Sequence, residues 1–176
     1  MKKMHIAFYK AKYGDFSDKL IDWGSGKLGY SHCEFVINPT TMIGAHYTGN
    51  GVAKFYYNDV YNSKLWDVYE LDLPKTKAKQ FMHDMVGTEY DSIGVALHFV
   101  GLHYSDKEKV WCSEVCAMAI NRTKEIEIPT LEMPNDLVAH ILELGGKKLR
   151  PTKLNASNDI AGVIDIYGRV KYGTYR

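Results

Sequence analysis

Short segments rich in strand-forming residues occupy most of the first 73 residues, and the first of them alternates loosely between apolar and polar positions. A two-residue period places successive side chains on opposite faces of a sheet. The pattern predicts an opening strand over residues 4–9. Further strands are predicted over 31–37, 42–47, 52–57 and 65–73, and the turn residues at 38–41 make the first two of these a hairpin.

Apolar residues at helical spacing interrupt this pattern once and dominate the chain after it. Residues 15–23 carry four apolar side chains on roughly one helical face, namely Phe16, Leu20, Ile21 and Trp23. Four later helices and one late strand are predicted over 75–87, 91–100, 113–120, 134–145 and 160–167. Strands first and helices afterwards indicate an α+β arrangement rather than alternating βαβ units.

The composition fits a single domain over residues 1–176. A chain of 176 residues with 45% apolar residues can bury one substantial core but is too short for two full domains. Its formal charge is +1, from 22 basic and 21 acidic residues, so no nucleic-acid partner is expected. No run reaches the roughly 18 apolar residues of a membrane span, and no signal peptide is recognisable, so we expect a cytoplasmic protein as synthesised.

Three cysteines, Cys33, Cys112 and Cys116, are an odd number in a sequence with no sign of export. A disulfide framework is therefore not expected, whereas a free reactive thiol is allowed. The close pair Cys112 and Cys116, together with the segment 31–33, offers sulfur and imidazole ligands for zinc. No second close pair completes the usual four-ligand pattern, so neither a metal nor another cofactor is expected.

Cys112 is the strongest candidate nucleophile. It stands where an apolar segment meets a predicted helix, and the free N–H groups and dipole of a helix N-terminus favour a thiolate. Such a thiolate needs a base within hydrogen-bond reach, and His32 on a predicted strand supplies one. The structural alternative is a buried inert cysteine and a satisfied core histidine. Cys116, one turn further along the helix, and Cys33, on the strand face opposite His32, are interpreted as packing residues.

A series of short motifs follows one another in a characteristic order. They are the segments 19–23 (KLIDW), 30–37 (YSHCEFVI), 90–91 (YD), 112–115 (CSEV) and 134–137 (PNDL). Together they resemble the histidine strand, the nucleophile motif and the neighbouring helix starts of the permuted papain-like amidases, the YaeF/YiiX branch of the NlpC/P60 superfamily. The resemblance covers roughly residues 16–145, with the histidine before the cysteine, whereas the cysteine comes first in unpermuted relatives.

This resemblance implies a circularly permuted papain-like NlpC/P60 fold, with an antiparallel sheet or small barrel packed against helices. It also implies that Cys112 attacks an acyl carbon and that His32 takes its proton and later returns it to the leaving group. Tyr90 resembles a tyrosine that lines the site in this family and would help to hold the oxyanion, beside the backbone N–H of Cys112. A plain core tyrosine is the alternative for Tyr90.

The third catalytic position departs from the family pattern. A polar residue on the strand after the histidine strand usually orients the imidazole, and the resemblance places Gly44 there. His46 lies two residues further on the same strand face and is the candidate substitute. Glu34 shares a face with His32 and is the weaker candidate. Without an orienting residue the histidine loses control of its tautomer, which would give a slower dyad or a degenerate enzyme.

The leading expectation is a cysteine hydrolase that cleaves an amide bond, in a small peptide or a peptidoglycan fragment, through a thioester intermediate. An alternative is a lipid-directed acyltransferase or deacylase of the same fold, acting on a lipid-like acyl substrate. The aromatic residues available to line an acyl groove are Tyr56, Tyr57, Trp66, Phe99 and Trp111. The non-enzymatic alternative is a binding module that has kept the fold and lost its chemistry.

Overall fold

The computed structural model describes residues 3–47, 51–102, 104–151, 160–164 and 170–171, with the backbone alone in the last two ranges. Its strands are β1 (Lys3–Lys10), β2 (Tyr30–Asn38), β3 (Thr41–His46), β4 (Gly51–Tyr57), β5 (Trp66–Pro74), β6 (Glu89–Tyr90), β7 (Lys109–Val110), β8 (Lys147–Lys148), β9 (Ile160–Ile164) and β10 (Val170–Lys171). Its α-helices are α1 (Phe16–Gly24), α2 (Lys75–Asp84), α3 (Ser92–Phe99), α4 (Cys112–Asn121) and α5 (Pro134–Glu143). These elements confirm the predicted strands and helices to within about three residues. Residues 165–167 of the last predicted strand lie outside the described residues.

An eight-stranded sheet with antiparallel neighbours confirms the α+β prediction. The strand order is β10-β9-β4-β3-β2-β1-β5-β8. β2 therefore lies near the middle of the sheet, hydrogen-bonded to β1 on one side and to β3 on the other. Tyr9 of β1 pairs with His32 of β2. The candidate base is thus on a strand that is held from both sides.

The two faces of the sheet are buried against different partners. Phe35 and Ile43 belong to the cluster that includes helical residues such as Leu137. Val36 and Phe55 belong to a second cluster on the opposite face. Because fully burying a side chain of this size stabilises the fold by roughly 1.5–3 kcal/mol, β2 and β3 form a firmly packed platform for the polar residues they carry.

The helices differ in how much of their surface they bury. α4 and α5 contribute fully buried residues such as Cys116 and Ile141 to the helical side of the core. α3, in contrast, buries only Gly94. No helix in the described part of the chain combines the length and the hydrophobicity that a membrane crossing requires.

α1 is packed in an unusual orientation. Asp15 caps its start. A helix with one apolar face ordinarily turns that face toward the core. No residue of α1 is buried, however, and Phe16 and Trp23 are 74% and 67% exposed. The polar face makes the attachment instead, since Asp22 accepts a hydrogen bond from Asn135 of α5 at 2.9 Å.

Candidate active site

Cys112 is the first residue of α4, directly after the N-cap residue Trp111. Glu114 closes the start of this helix, because its carboxylate accepts hydrogen bonds from the Trp111 backbone N–H at 3.2 Å and from the Ser105 hydroxyl at 2.8 Å. Other N–H groups of the first turn have no partner within the helix and point toward its beginning. They favour a negative charge at Cys112.

The thiol of Cys112 interacts with two adjacent residues of β2, Cys33 and His32. A hydrogen bond from Cys33 and the positive charge of His32 hold the pKa of Cys112 well below its usual range, although burial acts in the opposite direction. Burial raises the pKa of Cys33, which therefore stays a neutral donor. Cys33 and Cys116 have no exposed surface, whereas Cys112 retains 4%. The fold thus brings the predicted nucleophile and base together and adds a contact from Cys33.

The surroundings of the His32 imidazole favour the opposite charge. Burial lowers its pKa, but the Cys112 thiolate and the hydrogen bonds to Cys112 and Glu34 raise that pKa to about 10. His32 Nε2 lies 2.9 Å from His46 Nε2 and 3.4 Å from Glu34 Oε1. Because Nε2 is engaged on that side, Nδ1 is the nitrogen available to Cys112. These two shifts favour a thiolate and an imidazolium, the state in which a cysteine nucleophile reacts.

A buried carboxylate lies behind the two histidines. Glu34 Oε1 accepts a hydrogen bond from the Tyr57 hydroxyl at 2.8 Å, and His46 Nε2 lies 2.8 Å from the same oxygen. Burial opposes ionisation, but the hydrogen bonds from His32 and His46 lower the pKa of Glu34 to about 2. Glu34 Oε2 has no hydrogen-bond partner among the described residues. The negative charge of Glu34 is therefore balanced through Oε1, on the side of the histidines.

His46 connects this carboxylate to His32. Its ring packs on Phe55, with the ring centroids 4.0 Å apart. Burial and the positive charge of His32 lower the pKa of His46, so His46 is the neutral histidine of the pair. A neutral imidazole has one N–H, so His46 Nε2 either donates to Glu34 or accepts from His32. In both arrangements His32 Nε2 faces an acceptor, which fixes the orientation of its ring.

Gly44 explains how the carboxylate reaches this position. Phe35 pairs with Ile43, which places Glu34 across from Gly44 in the β2–β3 hairpin. A Cβ atom at residue 44 would lie 2.5 Å from Glu34 Cγ, so a larger residue does not fit while Glu34 keeps this conformation. The space left open by Gly44 is therefore filled from the neighbouring strand. Glu34, the weaker candidate on sequence grounds, lies close to His32, as His46 does. The sequence signal for this position of Glu34 is a glutamate opposite a glycine on the neighbouring strand.

The same side chains contain donors that suit a metal ion. One donor atom each from His32, Glu34 and His46 lies within 4.8 Å of the other two. Imidazole and carboxylate are ligands that zinc accepts. However, Glu34 Oε1 already accepts from Tyr57, and His32 also interacts with Cys112. We interpret the three residues as a hydrogen-bonded relay behind the thiolate.

Tyr90 lies close to the nucleophile. It belongs to β6, where it pairs with Val110, two residues before Cys112. It packs against the cluster that contains Cys112, and its ring centroid is 6.4 Å from that of Tyr47. Burial and the charge of Cys112 raise the pKa of Tyr90, so its hydroxyl is a neutral donor. The position suits the oxyanion role, which stays a prediction.

The aromatic residues considered for an acyl groove fall into two groups. Tyr57, Trp66 and Trp111 are buried, and the Tyr57 hydroxyl is committed to Glu34. Tyr56 is half-buried and Phe99 is exposed. The buried three therefore serve packing and the relay, and they do not form the wall of an open groove.

Comparisons of this chain with protein-family models, with curated proteins and with solved structures give no match. The resemblance to permuted papain-like amidases therefore stays a prediction. What the chain does has to be argued from the arrangement of Cys112, His32, His46 and Glu34.

Proposed function

We propose that this protein is a cysteine hydrolase that cleaves an amide bond through a thioester intermediate, on a circularly permuted papain-like fold of the NlpC/P60 kind. The observation that carries the proposal is the placement of Cys112 at the start of α4 against the half-buried His32, with His46 and Glu34 behind the imidazole, and the lowered pKa of the thiol and raised pKa of the imidazole agree with it. Burial alone raises the pKa of a thiol, as it does for Cys33 in the same site. The contrast between these two neighbouring cysteines supports a reactive thiolate at residue 112.

In the proposed reaction the Cys112 thiolate attacks the carbonyl carbon, and an electron pair of the C=O bond moves onto the oxygen. The backbone N–H of Cys112 and the Tyr90 hydroxyl are the proposed donors to this oxyanion. When the oxyanion collapses, the C–N bond breaks and His32 gives its proton to the leaving amine. Water then attacks the thioester while His32 takes a water proton, and the acid product leaves as the thiolate is restored.

His46 and Glu34 are positioning residues in this proposal. They act on His32, which they hold with Nδ1 toward the sulfur, and they stabilise its positive charge. Tyr57 in turn fixes Glu34. A buried ionised relay costs several kcal/mol of desolvation unless its charges are paired. Retention of such a relay beside a thiolate argues against a binding module that has lost its chemistry.

A lipid-directed deacylase or acyltransferase is the second candidate, since it would form the same thioester. The observation that favours it is the apolar character of α3, whose Ile93 and Phe99 are exposed. α3 packs closely on the residue before the nucleophile, because a Cβ atom on Gly94 would lie 2.8 Å from the Trp111 ring. Apolar surface therefore lies near the reactive sulfur.

The first test is mass spectrometry of the intact protein after brief exposure to low iodoacetamide at pH 6. One fast adduct on Cys112 is expected, because an ordinary thiol with a pKa of about 8.5 is only ~0.3% thiolate at this pH. His32→Ala is expected to slow that adduct by about 100-fold, and Cys112→Ala to abolish it. Cys33 and Cys116 are the internal controls, because both are fully buried. If Cys112 labels no faster than these two, and His32→Ala changes nothing, the binding module replaces the hydrolase.

A second experiment separates the two enzymatic candidates. The protein is incubated with amide and long-chain ester libraries, and acyl adducts on Cys112 are sought by mass spectrometry, with Cys112→Ala as the blank. Acyl transfer from amides is the expected result. Adducts that form only from long-chain acyl esters would favour the lipid-directed enzyme instead.

A further inference from the structure

The outer faces of α1 and α3 form one apolar surface. On α1 its side chains recur at spacings of four and three residues, which places them in a single stripe along the helix. On the α3 side, the Phe99 ring packs on Gly24, where a Cβ atom would lie 2.4 Å from Phe99 Cε1. This contact joins the two helices. The apolar surface is defined here by the exposed residues Phe16, Leu20, Trp23, Phe99 and Val100.

The attachment of α1 leaves this stripe uncovered by the described residues. Asp18 accepts a hydrogen bond from the Ser31 hydroxyl, and Asp22 accepts from the Gly29 N–H at 2.7 Å and from Asn135 Nδ2 at 2.9 Å. These two carboxylates, four residues apart, lie on the side of the helix opposite the stripe. Folding onto the sheet is normally achieved by burying apolar side chains. The outward stripe is therefore better explained by an occupant outside the chain than by folding.

Basic side chains border the apolar surface. Lys12, Lys19 and Lys27 are exposed, and the lysine ion pairs in the described ranges all involve other lysines. The Lys27 ammonium lies 5.7 Å from the centre of the Trp23 ring. Lys12 and Lys19 also line a cavity of about 610 Å³, together with two lysines that are already paired with Asp67. Among the described residues these three lysines therefore form no close ion pair, and Lys19 has only a longer-range attraction to Asp15.

We propose that this surface binds the interface of a bilayer that contains anionic phospholipids. Its apolar side chains insert among the acyl chains, and Lys12, Lys19 and Lys27 lie at the level of the headgroups. Helices that lie in a membrane interface typically expose Trp and Phe side chains flanked by lysines. α1 shows this pattern and is too short to span a membrane. Charge complementarity selects the anionic lipid, because the bordering ammonium groups form no ion pair among the described residues.

The surface is independent of the proposed hydrolase, because neither Cys112 nor His32 belongs to it. The two are nevertheless neighbours. α1 is hydrogen-bonded to Ser31, beside His32, and α3 packs on Trp111, beside Cys112. Binding through α1 and α3 would therefore hold the reactive pair close to the membrane surface.

Trp23 is a built-in reporter of this binding, because the other two tryptophans, Trp66 and Trp111, are buried. The full chain is titrated with vesicles of phosphatidylcholine alone and of phosphatidylcholine with an equal share of phosphatidylglycerol. With the anionic vesicles we expect a blue shift of the Trp23 emission and co-sedimentation, both weakened by high salt. Binding to the neutral vesicles is expected to be at least about tenfold weaker than binding to the anionic vesicles.

Two matched pairs of variants test the two parts of the surface. Phe16→Ser with Leu20→Ser is expected to weaken vesicle binding by at least about tenfold. Its control is Leu142→Ser with Leu144→Ser, which removes two similarly exposed leucines at α5 and should change little.

For the charges, Lys19→Gln with Lys27→Gln is expected to weaken binding to anionic vesicles by about tenfold. Its control is Lys77→Gln with Lys124→Gln. The two double variants are matched because each changes one exposed lysine on a helix and one lysine with a positive φ, which is 59° at Lys27 and 62° at Lys124.

Binding of neither vesicle, or unchanged binding after Phe16→Ser with Leu20→Ser, would overturn the proposal. So would a concentration-dependent dimer that this variant dissociates, because the surface would then belong to a second copy of the chain. Cys112→Ala separates the proposals, since it should keep the vesicle binding of the full chain while losing the iodoacetamide adduct.

Discussion

Proteins ordinarily bury apolar side chains and expose charged ones. The relay behind Cys112 and the outer face of α1 both depart from this rule, the first by burying charge and the second by exposing apolar side chains. Around Glu34 the protein buries a carboxylate beside two half-buried imidazoles, and on α1 it exposes Phe16 and Trp23. Buried charge costs desolvation, and exposed apolar surface forfeits about 25 cal/mol per Å². The difference between the regions is that the relay has its partners inside the fold, whereas the described residues leave the stripe exposed. The relay therefore indicates chemistry within the protein, and the stripe of α1 indicates a contact with another molecule.

The largest effect is expected when the relay loses its charge. Glu34→Gln keeps the shape of the side chain but removes the carboxylate that supports the His32 imidazolium. The pKa of His32 should then fall, and with less positive charge beside it the pKa of Cys112 should rise toward the ordinary thiol value of about 8.5. We expect labelling by iodoacetamide at pH 6 to slow by about 10- to 100-fold, and the pH midpoint of labelling to move upward.

Asp67→Asn is the matched control for this prediction. Asp67 is another carboxylate of the sheet, partly buried and held by Tyr30 and two lysines, but it is not bonded to the relay. Its loss should reduce stability and leave Cys112 labelling unchanged. If Glu34→Gln folds normally and also labels like the parent protein, Glu34 does not support His32, and His46 alone orients the base.

A smaller effect is expected when Glu34 is displaced without being changed. In Gly44→Ala the new Cβ would lie 2.5 Å from Glu34 Cγ, so the carboxylate has to move. Overpacking of this kind costs about 1–3 kcal/mol in the free energy of unfolding, and labelling at pH 6 should slow with it. Denaturant unfolding of the double-mutant cycle with Glu34→Ala measures the coupling. Equal costs of Gly44→Ala in both backgrounds would show that the two residues do not compete for this space.

The sequence predicts much of this fold because the signals are local. The strand at 30–38 and the helix at 112–121 are indicated by nearby residues, and a cysteine at a helix start is visible in the sequence alone. The close approach of Glu34 to His32 is harder to predict, since it depends on which residue of β3 lies opposite Glu34. The outward stripe of α1 depends on the bond between Asp22 and Asn135, which are 113 residues apart. Periodicity shows that a helix has an apolar face but not which way that face is turned.

The smallest effect is expected for the exposed apolar stripe of α1. Phe16→Ser should change the free energy of unfolding by less than about 0.5 kcal/mol, because a side chain that is 74% exposed gives up little buried area. Phe35→Ala, in the core of the sheet, should cost about 3–5 kcal/mol in the same urea titration. A loss above about 2 kcal/mol for Phe16→Ser would mean that the stripe is packed within the fold. The two regions would then no longer differ in where their partners lie, and the membrane surface would lose its physical basis, while the relay around Cys112 would be unaffected.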